Sequence, residues 1–136
     1  MVMQAPTISE AATKLRLRGL VAMAHVADVA RSIEFYQQLG FEVGNTVAAE
    51  GKLNWAWLKS PDGRAQLMLA RSGRPMNPGA QDVLFYLYVD DVQAYRNQLL
   101  GRGLAAGEVR FPFWSPRGEF RLDDPDGYAL FIAHAD

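Results

Sequence analysis

SPDGRAQL at residues 60–67 and DPDGYALF at residues 124–131 write one local structure twice. In each, proline presets the backbone for the second position of a type I turn, and the glycine two residues on supplies positive φ where the chain doubles back. An apolar run follows each turn, closed by Leu67 in the first copy and by Phe131 in the second. Both copies therefore encode a tight hairpin.

Outward from the turns the likeness continues. Moving the chain by 63 residues, from position 19 to position 82, lays GLVAMAHVADVARSIEFYQQLGFEVG on DVLFYLYVDDVQAYRNQLLGRGLAAG without a gap. Val26 then falls on Val89, Asp28 on Asp91, Val29 on Val92, Gly40 on Gly103 and Gly44 on Gly107. At the turns the offset is 64, from Pro61 to Pro125. So small a slip over a whole unit points to two modules with the same elements in the same order, a tandem duplication.

Local chemistry names those elements. Leu20 to Val26 and Val83 to Val89 are short apolar runs rich in β-formers, each followed by an aspartate, Asp28 or Asp91, suited to cap a helix. Helices are predicted from Val29 to Leu39 and from Val92 to Arg102, closed by Gly40 and Gly103. Three strands are expected after each helix, near 41–48, 53–59 and 65–70, and near 105–111, 118–123 and 128–133. RSGRPMNPGA, residues 71–80, has two prolines and two glycines and reads as a linker. Residues 1–18 match nothing later and read as an arm ahead of one domain at 19–136, with modules at 19–70 and 82–134 joined by a linker at 71–81.

Composition narrows the function. With 136 residues, 49% hydrophobic and 21% charged, the chain is long and apolar enough to bury a core. A net charge of −1 and no basic stripe argue against a nucleic-acid partner. Cysteine is absent, which excludes disulfides and thiolate chemistry and leaves only His, Asp or Glu to hold a metal. No apolar run is long enough for a membrane span or a signal peptide, so a cytoplasmic location without membrane attachment is expected.

Two βαβββ units in tandem resemble the vicinal oxygen chelate superfamily, which includes glyoxalase I, fosfomycin-resistance thiol transferases, extradiol dioxygenases and bleomycin-resistance binding proteins. HVADVARSIEFYQQLGFEV in the first module, with VDDVQAY and EFRLDDPDGYALFI in the second, carry the resemblance, which spans about residues 19–134. It implies an α+β fold whose mixed sheets curl into a cup with the helices on the outer face. It also implies a homodimer.

Alternation along strands assigns sides. Ala22, Ala24 and Val26 are expected to face the first helix, and Phe85, Leu87 and Val89 the second. Val21, Met23, His25, Trp55, Trp57, Leu67, Leu84, Tyr86, Tyr88, Glu119, Arg121 and Phe131 are expected to face the cup. The resemblance places metal ligands of metal-using relatives early in the first strand of each module and in the strand after each PDG turn. Those positions are assigned to Val21, Leu84, Leu67 and Phe131, and none of these side chains offers a divalent cation a lone pair. A metal-free cup without a cofactor is therefore expected.

Candidate ligand-binding residues are Met23, His25, Trp55, Trp57, Tyr86, Tyr88, Trp114, Glu119, Arg121 and Phe131. The aromatic residues suit stacking on a flat organic molecule, and Glu119 and Arg121 suit its polar groups. FPFWSPRGEF, residues 111–120, reads as a rigid rim loop whose Phe113 and Trp114 form either a lid or a plug on a second subunit. The expected function is sequestration of a small, flat, partly aromatic molecule by a bleomycin-resistance-like protein. The alternative is a glyoxalase-like lyase or isomerase, or a dioxygenase, with a displaced metal site or with His25 as general base.

Overall fold

The computed structural model describes residues 14–135; residues 1–13 of the expected arm lie outside it. The first module runs β1 (Ala22–Val26), α1 (Val29–Gln38), β2 (Glu42–Ala49), β3 (Lys52–Lys59) and β4 (Gln66–Arg71). The second runs β5 (Leu84–Val89), α2 (Val92–Gly101), β6 (Glu119–Asp123) and β7 (Ala129–His134). The first sheet is ordered β1-β4-β3-β2 and the second β5-β7-β6, with β1 parallel to β4 and β5 parallel to β7. The α+β fold stands as expected, in two open sheets, with the second module one strand short of the first.

Both helices begin and end by the same local devices. Asp28 accepts the Arg31 N–H and Asp91 the Ala94 N–H, satisfying amides that have no partner within the helix. At the far ends Gly40 and Gly103 take positive φ. Phe41 N–H then reaches back to Tyr36 C=O, and Leu104 N–H to Leu99 C=O, which is the Schellman closure. In the first module the Phe41 ring also packs edge-on against Tyr36, 5.7 Å between centroids.

One core joins the two modules. Ala24, Val26, Ala56, Leu58 and Leu69 pack with Ile33 and Tyr36 in the first, continuous with Phe120, Leu122, Leu130, Ile132 and Leu99 in the second. The turn at Asp124–Gly127 fastens this core with polar contacts. Tyr36 Oη donates to Asp124 at 2.7 Å, while Ala27 N–H and the Ser32 hydroxyl donate to Asp126. Arg31 lies 3.5 Å from the same carboxylate. Tyr128 Oη returns to the His25 carbonyl at 2.9 Å. Burial first, then the Asp124 charge, pushes the Tyr36 hydroxyl far above the ordinary phenol range, so it remains a donor.

Four expectations need correction. Segment 105–111 is not a strand: it touches β6 through Gly107 N–H to Arg121 C=O and through a reciprocal pair between Arg110 and Glu119. Three residue steps from 107 to 110 oppose two from 121 to 119, a bulge that interrupts the pairing. Arg96 of α2 also donates to the Gly107 carbonyl, at 2.6 Å.

The second correction concerns Leu67, which does not face the open side. It pairs with Leu58 and Ala22, is 6% exposed, and belongs to the core with Leu69. Six residues separate β3 from β4, whereas five separate β6 from β7, so the one-residue slip sits inside the first hairpin. Met68, opposite Met23, is consequently the counterpart of Phe131, opposite Tyr86. A slip of one residue exchanges the faces of a strand.

Finally, the linker is built into the fold. Pro78–Ala80 forms a 3₁₀ turn capped by Asn77, Met76 packs on the core, and Pro78 lies against Gly127. At the start of β1, Ala22 is exposed rather than covered by α1.

Candidate ligand-binding face

The face of each sheet opposite the core is left open. In the first module Met23, Met68 and Trp57 lie side by side across β1, β4 and β3, and His25, Ala70 and Trp55 form the next row. Trp57 donates its indole N–H to Gln66 at 3.3 Å, which ties the ring across the hairpin. Gly44 lies under it, since a Cβ there would sit 2.9 Å from the Trp57 ring. Its repeat partner Gly107 sits against the Arg121 backbone, where a Cβ would come 3.1 Å from the carbonyl oxygen. The glycine shared by the two modules thus marks a close approach in both.

In the second module the rows are Tyr86, Phe131 and Arg121, then Tyr88, Ala133 and Glu119. Tyr86 and Phe131 are near-parallel, with centroids 5.4 Å apart and planes at 19°. Tyr88 continues the row at 6.2 Å and 25° from Tyr86. The Tyr86 hydroxyl lies 3.3 Å from each oxygen of Glu119. Desolvation raises the Tyr86 pKa, with the Glu119 charge adding to it. Arg121 is turned to Asp123, Nε to Oδ1 at 2.8 Å.

Of the ten candidate residues, Tyr86, Tyr88, Phe131, Glu119, Arg121 and Trp114 are thus gathered on the second module. Met23, His25, Trp55 and Trp57 form a separate group on the first, and every aromatic pair recorded among the described residues lies within one module. His25 is exposed and engages Tyr128 through its backbone carbonyl alone. Phe113 and Trp114 pack edge-on against each other, exposed at the loop between 112 and 118. Met68 is the open-face residue that sequence reading missed. Applying the 63-residue shift to the strand after the turn would have found it.

With the register corrected, the four positions that the resemblance marks for metal ligands hold Val21, Met68, Leu84 and Phe131. Hydrocarbon and one thioether do not fit the oxygen and imidazole preferences of Zn, Mn or Mg. Among the described residues no three His, Asp or Glu side chains converge elsewhere.

The family model for the Glyoxalase/Bleomycin resistance protein/Dioxygenase superfamily matches residues 20–132. Among solved structures, TnmS3, an antibiotic binding protein from Streptomyces sp. CB03234, is similar at TM-score 0.73 and 22% identity, covering 90% of this chain and 99% of its own. A bleomycin-binding protein complexed with bleomycin is similar at TM-score 0.69 and 20% identity, covering 88% of this chain and 100% of its own. The bleomycin-binding protein of bleomycin-producing Streptomyces verticillus, complexed with copper(II)-bleomycin, is similar at TM-score 0.67 and 19% identity, covering 90% and 99%. At these identities the likeness speaks for the fold. No curated protein matches the chain.

Proposed function

The chain belongs to the Glyoxalase/Bleomycin resistance protein/Dioxygenase superfamily, and from that premise we propose that it sequesters a small, flat, partly aromatic molecule without a metal. The observation that carries this reading is the row of near-parallel rings, Tyr88, Tyr86 and Phe131, left open on the second sheet. Tyr88 is 66% exposed and Tyr86 40%. Rings of this size are normally buried, and an exposed row of them is a surface that gains by being covered. Structural neighbours that hold antibiotics support the same reading. Sequestration needs no acid–base group, whereas the enzymatic alternative would need His25, whose side chain makes no hydrogen bond among the described residues.

The proposal includes a homodimer acting in the cytoplasm with neither nucleic acid nor membrane as partner. Met23 and Val47 on the first sheet and Leu84 on the second are exposed apolar residues on open faces, as a second copy would require. No helix among the described residues is long and apolar enough to cross a membrane.

Intrinsic tryptophan fluorescence tests the function. Titrating a panel of flat aromatic antibiotics and metabolites should give saturable quenching, weakened by Tyr86→Ala without loss of fold. If nothing quenches, and Trp55→Ala and Trp57→Ala only destabilise the protein, the binding reading fails. Light scattering on a sizing column tests the dimer, and a monomer at micromolar concentration would reject it.

A further inference from the structure

Glu119 carries a carboxylate that the protein has buried and left short of donors. The residue is 5% exposed and points to the open face of β6. Its backbone is fully used, N–H to Arg110 C=O at 2.9 Å and C=O from Arg110 N–H at 2.8 Å. Its side chain is not. Both oxygens lie 3.3 Å from one hydroxyl, Tyr86 Oη, whose single proton serves one of them at a time. Hydrogen bonds from hydroxyl to carboxylate are normally about 2.5–2.7 Å long, so this contact is weak. The ion pairs among the described residues are Arg31–Asp126 and Arg121–Asp123. Arg121, two positions along the same strand face, is thus committed to another acid.

A buried charge with so little compensation is costly unless a partner arrives. The partially exposed rings beside it keep the wall wet while it is free. A flat molecule lying on Tyr86 and Tyr88 would dry the wall and remove whatever solvent reaches Glu119. A neutral occupant would then strand the carboxylate, and an anionic one would be repelled by it. An occupant with a positive group would pair with it, and the negative faces of the neighbouring rings favour the same sign.

Resting on the binding reading above, we infer that the molecule taken by this wall is a flat aromatic cation, an amine or amidine on a ring system, with Glu119 as its counter-ion. Isothermal titration at pH 7 with three ring systems of one shape tests it: proflavine as cation, acridone as neutral compound and 9-acridinecarboxylate as anion. Proflavine should bind at least about tenfold more tightly than acridone, and the anion most weakly. Glu119→Gln should remove the preference by weakening proflavine and tightening acridone, with circular dichroism confirming the fold. The wild-type ranking alone decides the matter if that variant does not fold. Equal affinities in the wild type, or a preference that survives Glu119→Gln, overturn the inference and leave the binding reading in place. Failure of all three compounds to bind overturns both.

Discussion

At Ser60–Gly63 the chain turns in water, and at Asp124–Gly127 it makes the same turn against the other module. The backbones agree: Gly63 N–H bonds Ser60 C=O at 2.9 Å and Gly127 N–H bonds Asp124 C=O at 3.0 Å, with glycine φ of 74° and 86°. The surroundings do not. Asp62 serves its own turn, accepting from the Ser60 hydroxyl and from Arg64 N–H while exposed. Asp126, its counterpart, is 1% exposed and accepts from Ala27 and Ser32 of the first module. Replacing Ser60 by Asp124 in the repeat adds a second carboxylate, which holds two amides of its own turn and the Tyr36 hydroxyl. A turn motif therefore encodes its conformation, and the aspartates acquire a structural role only where the fold buries them.

The sharpest way to break this comparison is to add one carbon to each turn. Gly127→Ala places a Cβ within 2.4–2.6 Å of Pro78, much of it backbone, whereas at Gly63 nothing lies within 4 Å. Both variants carry the left-handed penalty of about 1–2 kcal/mol, but Gly127→Ala adds overpacking of about 1–3 kcal/mol. Urea unfolding should show Gly127→Ala as the more damaging by a wide margin, and equal losses would contradict the described packing.

Carboxylate removal comes next in size. Asp126→Asn should cost about 2–3 kcal/mol, because buried donors lose a charged acceptor. Asp62→Asn should shift the urea midpoint only slightly. A comparable shift for both would mean that the second turn is not the fastening between modules.

The smallest effect is a difference in sign with pH. Desolvation is the largest influence on Asp124 and raises its pKa, while the Arg64 amide is the largest on Asp62 and lowers it. Between its raised folded value and the ordinary value of 3.8, folded Asp124 holds a proton that the unfolded chain does not, so falling pH stabilises the wild type there. Its stability relative to Asp124→Asn should therefore move in the wild type's favour from pH 7 towards 4, by at most about 1.4 kcal/mol per pH unit. Asp62 acts oppositely: its contribution is present above 3.8 and disappears as pH falls through its lowered folded value. Parallel pH profiles for Asp62→Asn and Asp124→Asn would remove the distinction.

Much of the scaffold was legible in local signals. Asp28 and Asp91 do cap, Gly40 and Gly103 do close their helices, and the open rows on β5, β6 and β7 follow strand alternation. What went unread required information from distant residues. Leu67 was placed on the open face because the turns match at an offset of 64, and only the pairing with Leu58 and Ala22 shows that the strand beyond returns to 63. Segment 105–111 has strand-forming residues, yet against β6 it makes only the Gly107 contact and the Arg110–Glu119 bridge, unevenly spaced. For the candidate site, the residue types were visible but their grouping was not: Tyr86, Phe131 and Glu119 are neighbours through register, while Trp55 and Trp57 belong to another face.

The sequence by itself determined the doubled order of strand, helix and hairpin, because capping, glycine φ and side-chain alternation act over a few residues. The tertiary structure alone decided which turn is buried, which residue of β4 faces outward and which carboxylate is left with a single weak donor. Burial and register are properties of surfaces brought together from far along the chain, and no local spacing contains them.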